Sequence, residues 1–153
     1  MSTTATPRDR DAHSPEPAWD VALLFPAQGC WSEQEYLAIA EGSRRLVELA
    51  DGRLEVLPMP SLTHQRILMF LAKQLAAFVD ARQLGEIIIA GYPVRLADRR
   101  FREPDIVFVS KAHQDQKRET FTSAADLAIE IVSPDDPARD YQTKRAEYAA
   151  AGV

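Results

Sequence analysis

Three observations in the 153-residue sequence predict a single α+β domain. An Asp51-Gly52 pair separates two short runs of alternating apolar residues, 44–49 and 53–57. One long amphipathic pattern follows over residues 62–84. After it come compact β-branched runs, and then a second helical pattern. Hairpin, long helix, several strands and a last helix, in that order, place helices against a partly antiparallel sheet.

Each element has a local cause. Ser32 stands three residues before Glu35, the spacing of a capping box, and predicts a short helix to about residue 40. Asp51-Gly52 supplies the positive φ angles of a tight hairpin turn, and Pro58 and Pro60 end the second strand. Ile67, Leu71, Leu75 and Phe78 recur at steps of four and three, with Leu68 and Val79 widening the stripe. Gly85 reads as the glycine that closes this helix. Residues 86–90, 93–97, 105–110 and 127–133 read as strands. Asp136-Pro137 suits an N-cap and first helical position, opening a helix to about residue 150.

Composition bounds the function. Hydrophobic residues make up 46% and charged residues 27%, the mix of a soluble globular chain. A single cysteine, Cys30, forms no internal disulfide and builds no zinc site with a second thiol, so the sequence predicts a cytoplasmic protein. No apolar run approaches the length of a membrane span. Residues 1–18 are polar, with three prolines, and read as a disordered leader before one domain at 19–153. A net charge of −5 argues against binding nucleic acid over the whole surface. It leaves room for local patches such as Arg95, Arg99, Arg100 and Arg102, or Lys144 and Arg145.

Two carboxylates occupy unusual places. Asp105 stands where Pro104 hands over to the apolar run 106–109. Glu130 sits inside the apolar run 127–132, where it either faces solvent or is buried at a cost of several kcal/mol unless paired. If the two runs are neighbouring strands, the acids share a site, which is tolerable when one is protonated or a cation bridges them. Ligands that are all oxygen favour Mg²⁺ or Mn²⁺ over zinc.

These residues resemble a known pattern. Pro104-Asp105, Glu130-Ile131-Val132-Ser133-Pro134, Arg139-Asp140, Lys144 and Tyr148 are similar to the Uma-two family of restriction endonucleases, within the PD-(D/E)XK superfamily. The resemblance also takes in residues 48–52, 58–65 with His64-Gln65, and 148–153. It implies a restriction-endonuclease-like core of helix, three strands and helix, preceded here by the short helix and hairpin. It implies a DNA endonuclease in which Asp105 and Glu130 are catalytic and hold Mg or Mn together with the backbone carbonyl of Ile131. Val132 stands where the superfamily signature has lysine, and Lys144 on the following helix matches the lysine of similar proteins. On its own spacing, Lys144 reads equally as the partner of Asp140 on a helix surface.

Further expectations are attached to this site. Glu48 is a candidate third acidic ligand, although a glutamate on a hairpin is ordinarily exposed. His64 is a candidate to contact phosphate or orient water, although such a histidine ordinarily caps a helix or faces solvent. Arg99, Arg100 and Arg102 are candidates to steer the DNA backbone, and Tyr148 reads as packing. Similar proteins continue past the last helix with further strands, so the resemblance implies missing closing strands. An edge left open in this way favours pairing with a second copy as a homodimer. Two other classes of function remain at this point: a non-catalytic nucleic-acid- or partner-binding module, and an inactive truncated relative.

Overall fold

The structure, a computed structural model, describes residues 24–133 and 137–153. The expected leader and the Asp136 cap lie outside the described residues. Helix α1 (Glu33–Gly42) opens with the predicted capping box, in which the Ser32 hydroxyl accepts from the Glu35 amide and Glu35 accepts from the Ser32 amide. Strands β1 (Val47–Ala50) and β2 (Arg53–Val56) form the hairpin, turning through Asp51 at φ 50° and Gly52 at φ 77°. Helix α2 (Leu62–Arg82) starts at Ser61, whose side chain accepts from the His64 amide.

Strands β3 (Gly85–Ile89), β4 (Val94–Ala97), β5 (Arg100–Arg102), β6 (Ile106–Ser110) and β7 (Leu127–Ile129) follow, with a 3-10 turn at Lys111–Gln116 after β6. A π-helical turn, Arg139–Lys144, then runs into α3 (Arg145–Ala151). The named strands pair antiparallel, in one sheet of order β2-β1-β5-β4 and another of order β3-β6-β7. The α+β class holds.

Two apolar clusters fill the core. Trp31, Tyr36, Val47, Leu49 and Phe101 form one, beside the first sheet, with the Tyr36 and Phe101 rings 5.0 Å apart. Val94 of the first sheet, Val107 and Val109 of the second, and Ala125 form the other. The apolar alternation that predicts β1 and β6 is thus the pattern that fills these clusters.

Four expectations are corrected. The buried line of α2 runs through Leu68 and Val79, while Ile67 and Phe78 are 42% and 50% exposed. The helix packs chiefly on β3, and that contact covers a narrower stripe than the apolar residues span. Gln83, not Gly85, takes the left-handed conformation that closes α2. Gly85 instead starts β3, where a Cβ would lie 2.1 Å from the Val109 carbonyl oxygen. β5 was not foreseen, because three residues with two arginines carry too little apolar pattern. Finally, β7 ends at Ile129, so Glu130 lies just beyond the strand instead of inside it.

Candidate active site

The two acids flank the last paired residues of one ladder: β6 and β7 pair Ile106 with Ile129, and Asp105 and Glu130 stand next to them in the chain. Both line a cavity of about 890 Å³, together with His64, Glu103, Ile131 and Lys144. The ladder stops here because the Ile131 amide donates to Asp105 Oδ2 at 2.7 Å instead of to a strand carbonyl. His64, in the first turn of α2, donates through Nε2 to the same carboxylate, 3.1 Å from Oδ1 and 3.2 Å from Oδ2. Its Nδ1 is buried with no partner among the described residues.

Glu130 is gripped from the last helix. Lys144 Nζ lies 3.0 Å from Glu130 Oε1, and the Tyr148 hydroxyl donates to the same oxygen at 2.6 Å. Lys144 and Tyr148 are four residues apart, so both reach inward from one face. Burial pushes the Glu130 carboxyl up to about 7, and the nearby Glu48 charge adds to it, against the opposing pull of Lys144 and Tyr148. For Lys144, burial works against the charged ammonium, but Glu48 and Glu130 outweigh it and hold its pKa above the ordinary value.

Glu48 is fully buried. Its Oε1 accepts from Lys144 Nζ and from the Glu103 amide, each at 3.0 Å. Its Oε2 accepts from Arg102 at 2.9 Å and Arg139 at 2.5 Å. Burial alone would raise its pKa, yet Lys144, Arg102, the Glu103 amide and Arg139 together hold it below the ordinary carboxylate range. Beside it, burial and the Glu48 charge lift Glu103 to about 7. Arg102 also forks onto Glu147, at 2.6 and 3.0 Å, and reaches Glu55 at 2.7 Å.

The structure therefore gathers Asp105, Glu130, Ile131, Lys144 and His64 around one cavity and sets Glu48 behind it. It does not gather the arginines. Arg102 is 2% exposed and committed to three carboxylates. Arg100 pairs with Asp51, and Arg99 bonds Glu33 through its amide and the Gly29 carbonyl through its side chain; neither lines the cavity. Arg44 does, and is exposed. Sequence reasoning missed Tyr148 and Glu103. The signal for Tyr148 was its spacing of four from Lys144; for Glu103 it was a charged residue preceding Pro104 in a strand exit. Among the described residues, no group of three or more His, Cys, Asp or Glu side chains is close enough to form a ready metal cage.

A family model described as "Uma2: Putative restriction endonuclease" matches residues 33–153. The chain belongs to the Uma2 family. The match begins at the first residue of α1 and takes in both sheets, the cavity and the last helix. The mixed architecture is consistent with a restriction-endonuclease-like fold, and the family supports a nuclease at that level. No curated protein matches the chain. Among the described residues, no helix is long and apolar enough to cross a membrane.

Proposed function

We propose that this chain is a metal-dependent endonuclease that hydrolyses phosphodiester bonds of DNA, with Asp105 and Glu130 holding Mg²⁺ or Mn²⁺ and Lys144 beside them. The observation that carries this reading is that Asp105 and Glu130, each next to the last pair of the β6–β7 ladder, line the wall of one cavity. The donor set fits a hard cation. It is all oxygen, and both hydrogen bonds to Glu130 fall on Oε1. Burial raises the Glu130 pKa to about 7 despite Lys144 beside it. The Ile131 carbonyl is a third candidate donor, on a residue already tied to Asp105 through its amide.

When bound, such an ion lowers the pKa of a coordinated water and polarises the phosphoryl group. The chain's own residues do the positioning. His64 and the Ile131 amide fix the Asp105 carboxylate, and Tyr148 fixes Glu130. Lys144 supplies a protonated donor at the cavity wall for charge that develops on the phosphate. Arg44, exposed on the same wall, takes over from Arg99 and Arg100 as the candidate contact to the DNA backbone.

A binding module is the second reading. It is favoured by the absence of a three-ligand cluster among the described residues. Supercoiled plasmid separates the two. The endonuclease reading expects nicking with Mg²⁺ or Mn²⁺ that chelation stops and that Asp105→Asn and Glu130→Gln abolish. DNA binding that survives chelation, with no nicking under any divalent ion, would establish the module instead.

A further inference from the structure

We infer that Glu48 is a positioning residue: a buried clamp that holds the Lys144 ammonium beside Glu130, and not a ligand of the metal. The inference rests on the nuclease reading above and deepens it. A carboxylate that binds an ion needs an oxygen lone pair open to the ion. Glu48 has none to offer. It is 0% exposed and is not among the residues that line the cavity. A carboxylate offers about four acceptor sites, and four donors approach Glu48: Lys144 and the Glu103 amide on one oxygen, Arg102 and Arg139 on the other.

What those donors belong to gives the clamp its purpose. Arg102 is on β5, Glu103 follows it, and Arg139 and Lys144 begin and end the π-helical turn. Through Glu48, β1 therefore fixes the turn that carries the lysine. Arg102, Arg139 and Lys144 face Glu48, Glu55 and Glu147 in one network of ion pairs, and Lys144 also meets Glu130.

The consequence for the site is specific. Lys144 Nζ sits 3.0 Å from Glu48 and 3.0 Å from Glu130, while Asp140 stands 3.9 Å away. The ammonium is thus shared between two carboxylates. Without Glu48, its strongest remaining partner would be Glu130, and it would settle there in competition with a metal ion. With Glu48 in place, Lys144 is held at the edge of Glu130 and that carboxylate keeps capacity for the ion.

The test is a pair of variants compared for Mn²⁺ affinity of the metal-free protein by calorimetry, with plasmid nicking alongside. Glu48→Gln alone leaves the network one negative charge short and is at risk of unfolding. The double variant Glu48→Gln/Lys144→Gln removes one charge of each sign and keeps the balance, so it is compared with Lys144→Gln. A residue that acts only through Lys144 has no further effect once Lys144 is gone. Mn²⁺ affinity and kcat should then agree between these two proteins within about twofold, the non-additivity expected of coupled residues. A further loss of Mn²⁺ affinity of about tenfold or more in the double variant, the size expected when a group that supports a metal site is lost, would overturn the inference that Glu48 acts through Lys144. Asp105→Asn is the control for the reading beneath it. If Asp105→Asn leaves Mn²⁺ affinity unchanged, the metal site itself is refuted, and the clamp's role in it falls as well.

Discussion

Glu130 and Tyr148 set the chemistry at the scale of single residues. The Tyr148 hydroxyl is the shortest contact to Glu130, and it comes from a side chain that is itself buried. Tyr148→Phe keeps the ring and deletes the donor, so it should destabilise the fold by about 1–3 kcal/mol, the range for a hydrogen bond to a buried charged group. Denaturant unfolding measures this directly. The pH dependence follows from the same carboxylate. Burial lifts Glu130 from 4.5 to about 7, so between those values the folded chain binds the proton that the unfolded chain releases. Its contribution to stability is full below the unfolded value and is lost as pH rises through about 7. Glu103 behaves alike. Glu48 has the opposite sign: its depressed pKa gives stability above the ordinary carboxylate range that is lost as pH falls beneath it. The melting temperature should therefore rise as pH is lowered from above 7 toward 5 and fall again in more acid solution. Glu130→Gln should remove part of that rise; a melting temperature that falls steadily from neutral pH downward would contradict the assignment.

Single elements hold these residues where they are. β3 starts at Gly85 because the backbone of β6 passes so close that a Cβ would meet the Val109 carbonyl at 2.1 Å. Gly85→Ala must therefore spread the β3–β6 pair, at a cost of ~3 kcal/mol, and should be read by thermal unfolding. Loss of the Ser61 cap at the start of α2 is milder, about 1 kcal/mol for Ser61→Ala. That turn carries His64, so the same variant should also loosen Asp105, visible as weaker Mn²⁺ binding. Elements show why parts of the site were legible from sequence and parts were not. Asp51-Gly52 and Ser32–Glu35 are local rules that need no tertiary context, and both are found as read. Asp105 and Glu130 stood out because each sits in or beside an apolar run, although the run alone leaves open whether such a carboxylate faces solvent or is buried with a partner. The partners of Arg102 were not legible, for the converse reason. Its sequence neighbours are arginines, and only the fold reveals that three carboxylates from β1, β2 and α3 converge on it. The inward face of α2 was misplaced because its apolar residues span more of the helix than the sheet covers.

For the molecule as a whole, the account is one of two sheets and a last helix that meet at a buried charge network with a cavity on one side. The network explains how the chain keeps two cations, Arg102 and Lys144, out of solvent. Isolated, any of those charges would be costly to bury; paired on both sides, they tie β1, β5 and the π-helical turn into one unit. Lys144 belongs to that unit and also to the cavity wall. The central claim is that Asp105 and Glu130 together hold a divalent ion. Diffraction from crystals grown with Mn²⁺, read through the anomalous signal of the metal, tests it most directly. The account predicts a peak about 2 Å from an oxygen of each carboxylate, the bonding distance of a small hard cation. Ordered carboxylates that remain on His64 and Lys144, with no peak between them at saturating Mn²⁺, would contradict it.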